Sequence, residues 1–375
     1  MTGFTFNTTP SVRMGAGLFN TLGDVVAPLV QGRVLLVTDA GMIATGFVEK
    51  ATQSLVKAGL EPVIYDGVLA DPPEAVIHAA AELAKTCMGV IGLGGGSSLD
   101  VAKLAALLAG SGEDLAAAYG VGQAKGPRLP LILVPTTAGT GSEVTPISIV
   151  TTGESEKMGV VSPVLLPDVA LLDPELTIGL PALVTAATGI DAMVHAIEAY
   201  TSASPNNNPV SRSLALEALR LMGQALETAV SAPDDLQARS DMLLGSMLAG
   251  QAFANAPVAA VHALAYPIGG HFKVPHGLSN ALVLPHVIRF NTPKAGDDYS
   301  VLAAALFPGK SGAFADQLTD LSRRCGVPQT LAEVGIASTD LDLLAHDAMN
   351  QNRLLVNNPR EVTLADARAI YEAAL

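Results

Sequence analysis

The chain has 375 residues, of which 49% are apolar and 15% are charged, and its formal net charge is −14. This length exceeds what one ordinary hydrophobic core holds, so we expect two domains, and the apolar content excludes an intrinsically disordered chain. The acidic balance argues against a nucleic-acid partner and against an anionic membrane surface, because both bind basic surfaces.

Short β-type runs alternate with helical patterns through the first half of the chain. This alternation is typical of an α/β domain with a mostly parallel, doubly wound sheet. The pattern predicts strands at 33–39, 62–67, 89–96, 129–135, 147–152 and 169–174, and helices at 41–57, 73–85 and 97–108.

After Pro181 the β-type runs stop, and an Ala- and Leu-rich helical pattern fills the rest of the chain. Two loops are predicted there, TSASPNNNP (201–209) and NTPKAGDD (291–298). The shift in composition predicts an α/β dinucleotide-binding domain over 1–180 and an all-helical domain over 181–375.

Cysteine usage and the apolar stretches bear on where the protein resides. Cys87 and Cys325 lie far apart and outside any CxxC pattern, so reduced thiols are expected rather than a disulfide framework. The first residues lack the basic start and apolar core of a signal peptide. Gly, Pro or a charge interrupts each apolar stretch, so we expect none of membrane-spanning length and a cytoplasmic protein.

A glycine-rich segment, IGLGGGSSLD (91–100), leads from an apolar strand into a helix. Successive glycines let backbone amides approach a phosphate, and the helix N-terminus adds a positive partial charge. The segment departs from the GxGxxG fingerprint, because Ser97 stands where the last glycine would be. A plain turn joining strand to helix is the alternative interpretation.

Two further segments follow predicted strands, at the sheet edge where ligands bind in open α/β folds. Asp39 ends the first strand of the alternating region. It can bind an adenosine ribose diol and would repel a 2′-phosphate, which favours NAD over NADP; capping of the helix near Gly41 is an equally good interpretation. PTTAGTGSEVT (135–145) is rich in hydroxyls and glycines, and we favour ligand contact over a long polar turn.

Histidines are concentrated in the second half of the chain, where five of the seven lie between 195 and 286. Asp191 and His195 are four residues apart in a helical pattern and project from one helix face. His262 lies in another helical stretch. A Pro- and Gly-marked break over 267–275 can turn the chain back and bring His276 near His262.

One carboxylate and three imidazoles form a suitable ligand set for a divalent first-row metal such as Fe(II) or Zn. A single histidine is more simply a core or capping residue, but the grouping of four favours a metal site. His271 is the main rival ligand.

These motifs together resemble those of the iron-containing (group III) alcohol dehydrogenases, whose fold is related to that of dehydroquinate synthase. The resemblance spans nearly the whole chain. The stretches that carry it are GGGSSLDVAK (94–103), PTTAGTGSEVT (135–145), DPELTIGLP (173–181), TAATGIDAMVHAIEAY (185–200) and VHALAYPIGGHFKVPHGLSNALVLPH (261–286).

The resemblance implies roles for individual residues and a cleft between the two domains as the active site. It makes Asp191, His195, His262 and His276 the metal ligands. It assigns cofactor contacts to Asp39, Gly94, Gly95, Gly96, Ser97, Asp100, Thr136, Thr137, Thr140 and Lys157.

One position departs from the pattern, because Tyr266 stands where many family members have a histidine close to the nicotinamide and the substrate. A histidine cannot shuttle a proton from that position, and a tyrosine there can relay a proton or close the pocket. Tyr266 and His271 are the candidate catalytic residues.

The implied activity is hydride transfer between a small alcohol or its aldehyde and NAD(H), with Fe(II) or Zn polarising the substrate oxygen. The implied assembly is a homodimer or a larger homo-oligomer. A non-redox lyase of the dehydroquinate synthase type, which also uses NAD and a metal, is the alternative function.

Overall fold

The computed structural model of the chain describes residues 3–153 and 156–375. These residues divide into two compact units. An α/β unit comprises Asn7–Thr137 and Gly141–Ile178, and a helical unit takes in the residues up to Phe6, Ala138–Thr140 and Gly179–Leu375. Along the chain, the α/β unit ends at Ile178 and the rest of the helical unit begins at Gly179, close to the boundary predicted at residue 180.

The α/β unit contains the predicted alternation of strands and helices. Its helices are α1 (Leu22–Val26), α2 (Ala40–Ala44), α3 (Phe47–Lys57), α4 (Glu74–Ala84), α5 (Gly96–Ser111) and α6 (Leu115–Ala118). Its strands are β1 (Ser11–Met14), β2 (Arg33–Val37), β3 (Glu61–Tyr65), β4 (Val90–Gly94), β5 (Gly120–Val121), β6 (Leu131–Pro135), β7 (Ile147–Thr152), β8 (Glu156–Val161) and β9 (Val169–Leu172).

Six of these strands form one parallel sheet in the order β1-β9-β6-β4-β2-β3. Alternate side chains of each central strand enter two different cores, as the two-residue period of a strand requires. In β2, for example, Leu35 packs in a core with α4 and α5, whereas Leu36 packs in a core with α1 and α3. Both faces of the sheet are therefore buried, which explains the uninterrupted apolar character of its strands.

A second, three-stranded sheet has the order β5-β8-β7, and β7 pairs with β8 in antiparallel fashion. The strand predicted at 147–152 is β7, so it belongs to this sheet and not to the large one. Sequence reasoning missed β1, β5 and β8, because these strands are short or carry polar residues.

The helical unit contains no strand among the described residues, as predicted. Its helices are α7 (Ala182–Thr201), α8 (Pro209–Ser231), α9 (Leu236–Asn255), α10 (Ala260–Phe272), α11 (His276–Leu306), α12 (Phe314–Arg324), α13 (Leu341–Ala348), α14 (Asn352–Leu355) and α15 (Leu364–Ala374).

Three details of the predicted elements are wrong. The helix predicted at 41–57 is two helices, because Gly46 adopts φ 78° between α2 and α3. The loop predicted at 291–298 lies inside α11, where Pro293 is accommodated and only Ala295 leaves helical geometry, with φ −117°. The break predicted over 267–275 is shorter, because α10 continues through Pro267 and ends at Lys273 in the left-handed region.

One described helix, α7, is long and apolar enough to cross a membrane by length and composition alone. The expectation that every apolar stretch is too short is therefore wrong for 182–201. Its most apolar window is 78% buried within the protein, and its buried residues include Asp191 and His195, so it is a core helix of the helical unit.

Candidate active site

Helix α7 presents three buried polar side chains on one face. Asp191, His195 and Glu198 follow at intervals of four and three residues, which place them one above another on a helix. Each has no more than 5% of its surface exposed. Burial of polar groups is costly unless they form hydrogen bonds, so we expect these three side chains to have hydrogen-bond partners inside the unit.

Helices α10 and α11 supply these partners through a sharp reversal at 273–275. His262 lies in the first turn of α10 and His276 is the first residue of α11, and their ring centroids are 5.4 Å apart. Gly277 permits the approach of α11 to α7, because a Cβ there would stand 2.5 Å from the Ala187 carbonyl oxygen. The predicted turn-back is confirmed.

The ligand atoms of these side chains converge. One atom each of Asp191, His195 and His262 lies within 4.8 Å of the others. His276 is more open, with 41% of its side chain exposed, and its Nε2 lies 3.7 Å from Oδ1 of Asp191. Asn280 lies among them, with its side-chain nitrogen 2.5 Å from the same Oδ1.

Hydrogen bonds fix which nitrogen of two imidazoles faces the cluster. His195 Nδ1–H donates to the Gly139 carbonyl at 3.2 Å, and His262 Nδ1–H donates to the Glu198 carboxylate at 2.6 Å. Because these nitrogens carry the protons, each Nε2 keeps a lone pair for a ligand. The ring of Phe253 stacks on His195 at 4.3 Å and covers that side of the imidazole.

The electrostatics keep the same groups in their metal-binding forms. Burial, assisted by the neighbouring His262 and His276, lowers the pKa of His195 to about 3, so that its imidazole is neutral. Burial alone would raise the pKa of Asp191, but the three histidines and the Asn280 amide outweigh burial and hold that pKa below its ordinary value.

This arrangement fits a divalent first-row cation. Two ligand nitrogens of a tetrahedral zinc lie about 3.3 Å apart, so the observed spread of up to 4.8 Å closes when each ligand atom moves inward by somewhat less than about 1 Å. Three lone-pair atoms already surround the Asn280 nitrogen, which lies 3.3 Å from Nε2 of both His262 and His276. One carboxylate and three imidazoles suit Fe(II) and Zn alike.

The two candidate catalytic residues lie differently with respect to this cluster. The ring of Tyr266 is 5.8 Å from that of His276. Burial raises the pKa of the Tyr266 phenol, although Arg353 acts in the opposite direction. His271 lies outside the cluster, and its Nε2 pairs with Asp347 at 3.0 Å, so the rival ligand assignment finds no support.

In the α/β unit, the predicted cofactor segments meet at adjacent strand ends. Strands β2, β4 and β6 are neighbours, and Gly94 pairs with Pro135 in register. The Thr136 amide donates to the Gly94 carbonyl at 3.0 Å, and a Cβ on Gly95 would lie 3.7 Å from Thr137. The two loops therefore lie side by side.

The start of α5 has the features of a phosphate-binding helix terminus. Gly95 is the cap residue and has no side chain to accept the first amides, so Gly96, Ser97 and the next residue can present theirs to an anion. Gly94 has φ 146°, and a Cβ there would approach the Ser98 hydroxyl to 2.7 Å. Only glycine fits this turn.

Of the two roles that the sequence left open for Asp39, the structure shows helix capping, and contact with an adenosine ribose stays a prediction. Its Oδ1 caps α2 by accepting from Gly41 and Met42, at 2.9 and 3.2 Å. Its Oδ2 accepts from the Ser98 hydroxyl at 3.2 Å, which holds the carboxylate beside the glycine loop.

Two other predicted cofactor residues are engaged by protein groups. Asp100 accepts from the Ser142 hydroxyl at 2.6 Å and from the Ile149 amide at 2.9 Å, and thereby links α5 to the second loop and to β7. Lys157 pairs with Asp71 at 2.7 Å. Direct contact of either residue with a cofactor stays a prediction, as it does for Thr140.

Sequence reasoning missed three residues that complete the two sites. Glu198 and Asn280 each stand at helical spacing from a predicted ligand, at +3 from His195 and +4 from His276, and that spacing was the available signal. Lys103 is fully buried and donates to Ser142 and to the Ile147 carbonyl, at 2.8 and 2.7 Å; an isolated lysine in an apolar helix was its signal.

Two family models match the chain. Residues 9–174 match the family model described as iron-containing alcohol dehydrogenase, and residues 185–375 match that described as Fe-containing alcohol dehydrogenase family, C-terminal.

Individual relatives are similar over nearly their whole length. The chain is 42% identical to long-chain-alcohol dehydrogenase 1 of Geobacillus thermodenitrificans, covering 97% of this chain and 95% of the relative. It is 33% identical to the NAD-dependent methanol dehydrogenase of Bacillus methanolicus, with 98% of each covered. The crystal structure of a 1,3-propanediol oxidoreductase superposes with a TM-score of 0.95 at 35% identity, covering 100% of both chains.

Proposed function

This chain belongs to the iron-containing alcohol dehydrogenase family, and from that premise we propose that it transfers hydride between a small alcohol or its aldehyde and NAD(H). The convergence of Asp191, His195, His262 and His276 on one point carries the proposal. A structural or regulatory nucleotide-binding protein would have no use for these buried side chains. The named relatives act on alcohols, which supports net hydride transfer over the non-redox lyase alternative.

When bound, a divalent cation would supply a Lewis acid for the substrate oxygen, and NAD would supply the hydride acceptor. The protein's own groups prepare the site. Gly139 and Glu198 orient two imidazoles, and Asn280 orients the Asp191 carboxylate. Phe253 keeps water from one face of His195. Such preorganisation saves the cost of ordering the ligands during the reaction.

We assign the cofactor to the strand ends of the α/β unit. The first amides of α5 and the glycines at 94–96 would hold the pyrophosphate, and Asp39 would hold the adenosine ribose. The negative charge of Asp39 supports NAD over NADP, since it would repel a 2′-phosphate.

Tyr266 is the proposed proton-holding group. Because burial raises its pKa, its Oη stays protonated at neutral pH and can donate to the substrate oxygen in the direction of aldehyde reduction. A direct part for His271, which pairs with Asp347, stays a prediction.

A cytoplasmic location and a homo-oligomeric state also belong to this proposal. The two cysteines are both buried and unpaired by a disulfide, which supports a reducing compartment. Fractionation of cells and sedimentation of the purified protein test these two points.

The test of the activity begins with anaerobic purification and a measurement of bound metal. NADH and NADPH consumption is then followed with a panel of short- and long-chain aldehydes, before and after chelation. NADH oxidation that disappears on chelation and returns with Fe(II) or Zn is the expected result.

Two results would overturn the proposal. If the protein binds no metal, the assignment of Asp191, His195, His262 and His276 fails. If it binds metal and NAD but no alcohol or aldehyde changes the amount of NADH, the non-redox reaction replaces hydride transfer.

A further inference from the structure

Glu198 is a buried carboxylate whose two oxygens are both occupied at one end of the metal cluster. It has 4% of its surface exposed. Its Oε1 accepts from the Val261 amide at 2.7 Å, and its Oε2 accepts from His262 Nδ1 at 2.6 Å. A charge buried this deeply requires such partners.

The contact with Val261 secures the carboxylate at the start of α10. Val261 is the second residue of α10, and the cap residue, Ala259, has no side-chain acceptor for the first amides. Glu198 of α7 therefore serves as the cap acceptor for another helix, and its negative charge suits the positive end of that helix. This fixes the carboxylate before any ligand arrives.

The contact with His262 determines which imidazole nitrogen faces the cluster. A carboxylate only accepts hydrogen bonds, so Nδ1 must carry the proton. The side-chain nitrogen of Asn280, which can only donate, lies 3.3 Å from Nε2, so Nε2 carries the lone pair. That Nε2 lies 4.0 Å from Oδ1 of Asp191, on the cluster side of the ring. The Nδ1 partner of His195 is a neutral carbonyl, that of Gly139. The Nδ1 partner of His262 is the carboxylate of Glu198, which carries a full negative charge.

We propose that Glu198 is a positioning residue of the metal centre, which fixes the tautomer and the orientation of His262 and strengthens its bond to the metal. The inference rests on the proposed function, since it requires that Asp191, His195, His262 and His276 bind a metal. Partners of this kind behind a ligating histidine are worth roughly 10- to 100-fold in metal affinity.

The substitution Glu198→Gln tests the proposal, because the Val261 amide and His262 Nδ1 approach different carboxylate oxygens, and glutamine replaces one of these two acceptors with an NH₂ donor. If the amide oxygen faces Val261, its NH₂ faces His262 and forces Nδ1 to accept, which places the proton on Nε2 and removes the ligand lone pair. If the oxygen faces His262, the NH₂ opposes the Val261 amide. Glu198→Asp keeps the charge and is the conservative rescue. Glu217→Gln is the matched control, because Glu217 is exposed on α8 and pairs with Arg220.

The experiment measures the dissociation constant of Zn²⁺ for the chelator-stripped full-length proteins by competition with a chromophoric chelator, together with the visible spectrum of their Co²⁺ forms. We expect a roughly 10- to 100-fold weaker Zn²⁺ complex and an altered Co²⁺ spectrum for Glu198→Gln. Glu198→Asp should lie in between, and Glu217→Gln should match the wild type.

The competing explanation is a purely structural role for Glu198 as a helix cap. Under that role the thermal midpoint of metal-free Glu198→Gln falls, while its Zn²⁺ affinity and Co²⁺ spectrum stay those of the wild type, and this result overturns the inference alone. Failure of the wild type itself to bind Zn²⁺ overturns the proposed function as well.

A second measurement serves if Glu198→Gln does not fold. Long-range proton–nitrogen correlation spectra of the chelator-stripped wild type, labelled with ¹⁵N-histidine, report the tautomer of His262 in the absence of metal. Protonation at Nδ1 is expected, and protonation at Nε2 contradicts the inference.

Discussion

Asn280 directs its side-chain nitrogen at Oδ1 of Asp191 from 2.5 Å, at the point where His262 and His276 also direct their Nε2 atoms. Among the described residues, Oδ1 of Asn280 is buried without a hydrogen-bond partner. The amide nitrogen therefore provides a hydrogen-bond donor for the ligand atoms, while the amide oxygen is left without a donor. In a metal-loaded protein the cation would satisfy the same atoms.

Replacement of Asn280 by alanine should therefore destabilise the metal-free protein more than the loaded protein. A hydrogen bond to a buried charge is worth about 1.5–3 kcal/mol, which the metal-free variant loses in full. Thermal unfolding of both proteins, with and without Zn²⁺, measures the difference. Asn291→Ala is the control, because Asn291 is buried and pairs with Asn358, and its loss should be equal in both forms. An equal loss for Asn280→Ala would contradict the prediction.

Removal of His262 should cost the metal-free protein more stability than removal of His276. His262→Ala leaves the buried Glu198 carboxylate without its imidazole partner, a loss of about 1–3 kcal/mol or more. The side chain of His276 is 41% exposed, so water replaces much of what it contributes. Both variants should bind Zn²⁺ more weakly than the wild type. Denaturant unfolding after chelation gives the comparison, and a larger loss for His276→Ala would refute it.

Replacement of Asp39 by asparagine should weaken the preference for NADH over NADPH. Asparagine keeps the oxygen that caps α2, since both residues are good caps, but it removes the charge that would repel a 2′-phosphate. The ratio of kcat/KM for the two cofactors should fall by about tenfold, which corresponds to about 1.4 kcal/mol. Asp114→Asn, at the cap of α6, is the control and should leave the ratio unchanged. An unchanged ratio for Asp39→Asn would exclude Asp39 from the ribose site.

Much of the fold followed from the sequence, because its strands are buried on both faces and read as continuous apolar runs. The carboxyl ends of parallel strands share one edge of the sheet, which predicted a common edge for Asp39, the glycine loop and the 135–145 segment; the adjacency of β2, β4 and β6 came from the structure. Parallel pairing and local helix periodicity were sufficient for this step. The strands that escaped, such as β8 with its Lys157, are half-exposed, and their polar residues weaken the pattern.

The ligands of the candidate metal site were predictable from the sequence, but the residues that hydrogen-bond to those ligands were not. Histidines are rare and chemically specific, so their grouping can be detected in the sequence alone. Glu198 and Asn280 are common residue types, and only the packing of α10 and α11 on α7 shows what they contact. The helix through 291–298 was hidden for a related reason, because tertiary packing there overrides the local preference of Pro293 for a loop.

Replacement of Tyr266 by phenylalanine should lower turnover without weakening metal binding. The variant keeps the ring that packs 5.8 Å from His276 but removes Oη, the proposed proton donor in aldehyde reduction. General acid catalysis contributes about 10²–10⁴-fold, so we expect kcat for aldehyde reduction to fall by at least the lower part of that range. Tyr65→Phe, which removes a hydroxyl in the α/β unit that donates to the Val76 carbonyl, is the control. If Tyr266→Phe turns over at the wild-type rate, Tyr266 only shapes the pocket.

The free energy of unfolding of the metal-free protein should contain a contribution from Glu143 that decreases as the pH rises from 4.5 towards 7. Only 2% of this residue is exposed, and burial raises the pKa of its carboxyl from 4.5 to about 7, although Lys103 favours the charged form. Between these two values the folded protein binds more protons than the unfolded chain, so the stability from Glu143 is complete below pH 4.5 and is lost as the pH passes 7.

The comparison with Glu143→Gln isolates this contribution below about pH 7, because the amide does not titrate and the interacting group, Lys103, has a pKa of about 8. The stability of the wild type minus that of the variant should fall by about 1–3 kcal/mol between pH 4.5 and pH 7. Glu217→Gln should show no such fall, since Arg220 lowers the pKa of Glu217 and the sign is opposite. Urea unfolding of chelator-treated proteins across this range measures the difference. A constant difference would mean that Glu143 stays ionised in the fold, and Lys103 would then be the partner that compensates its burial.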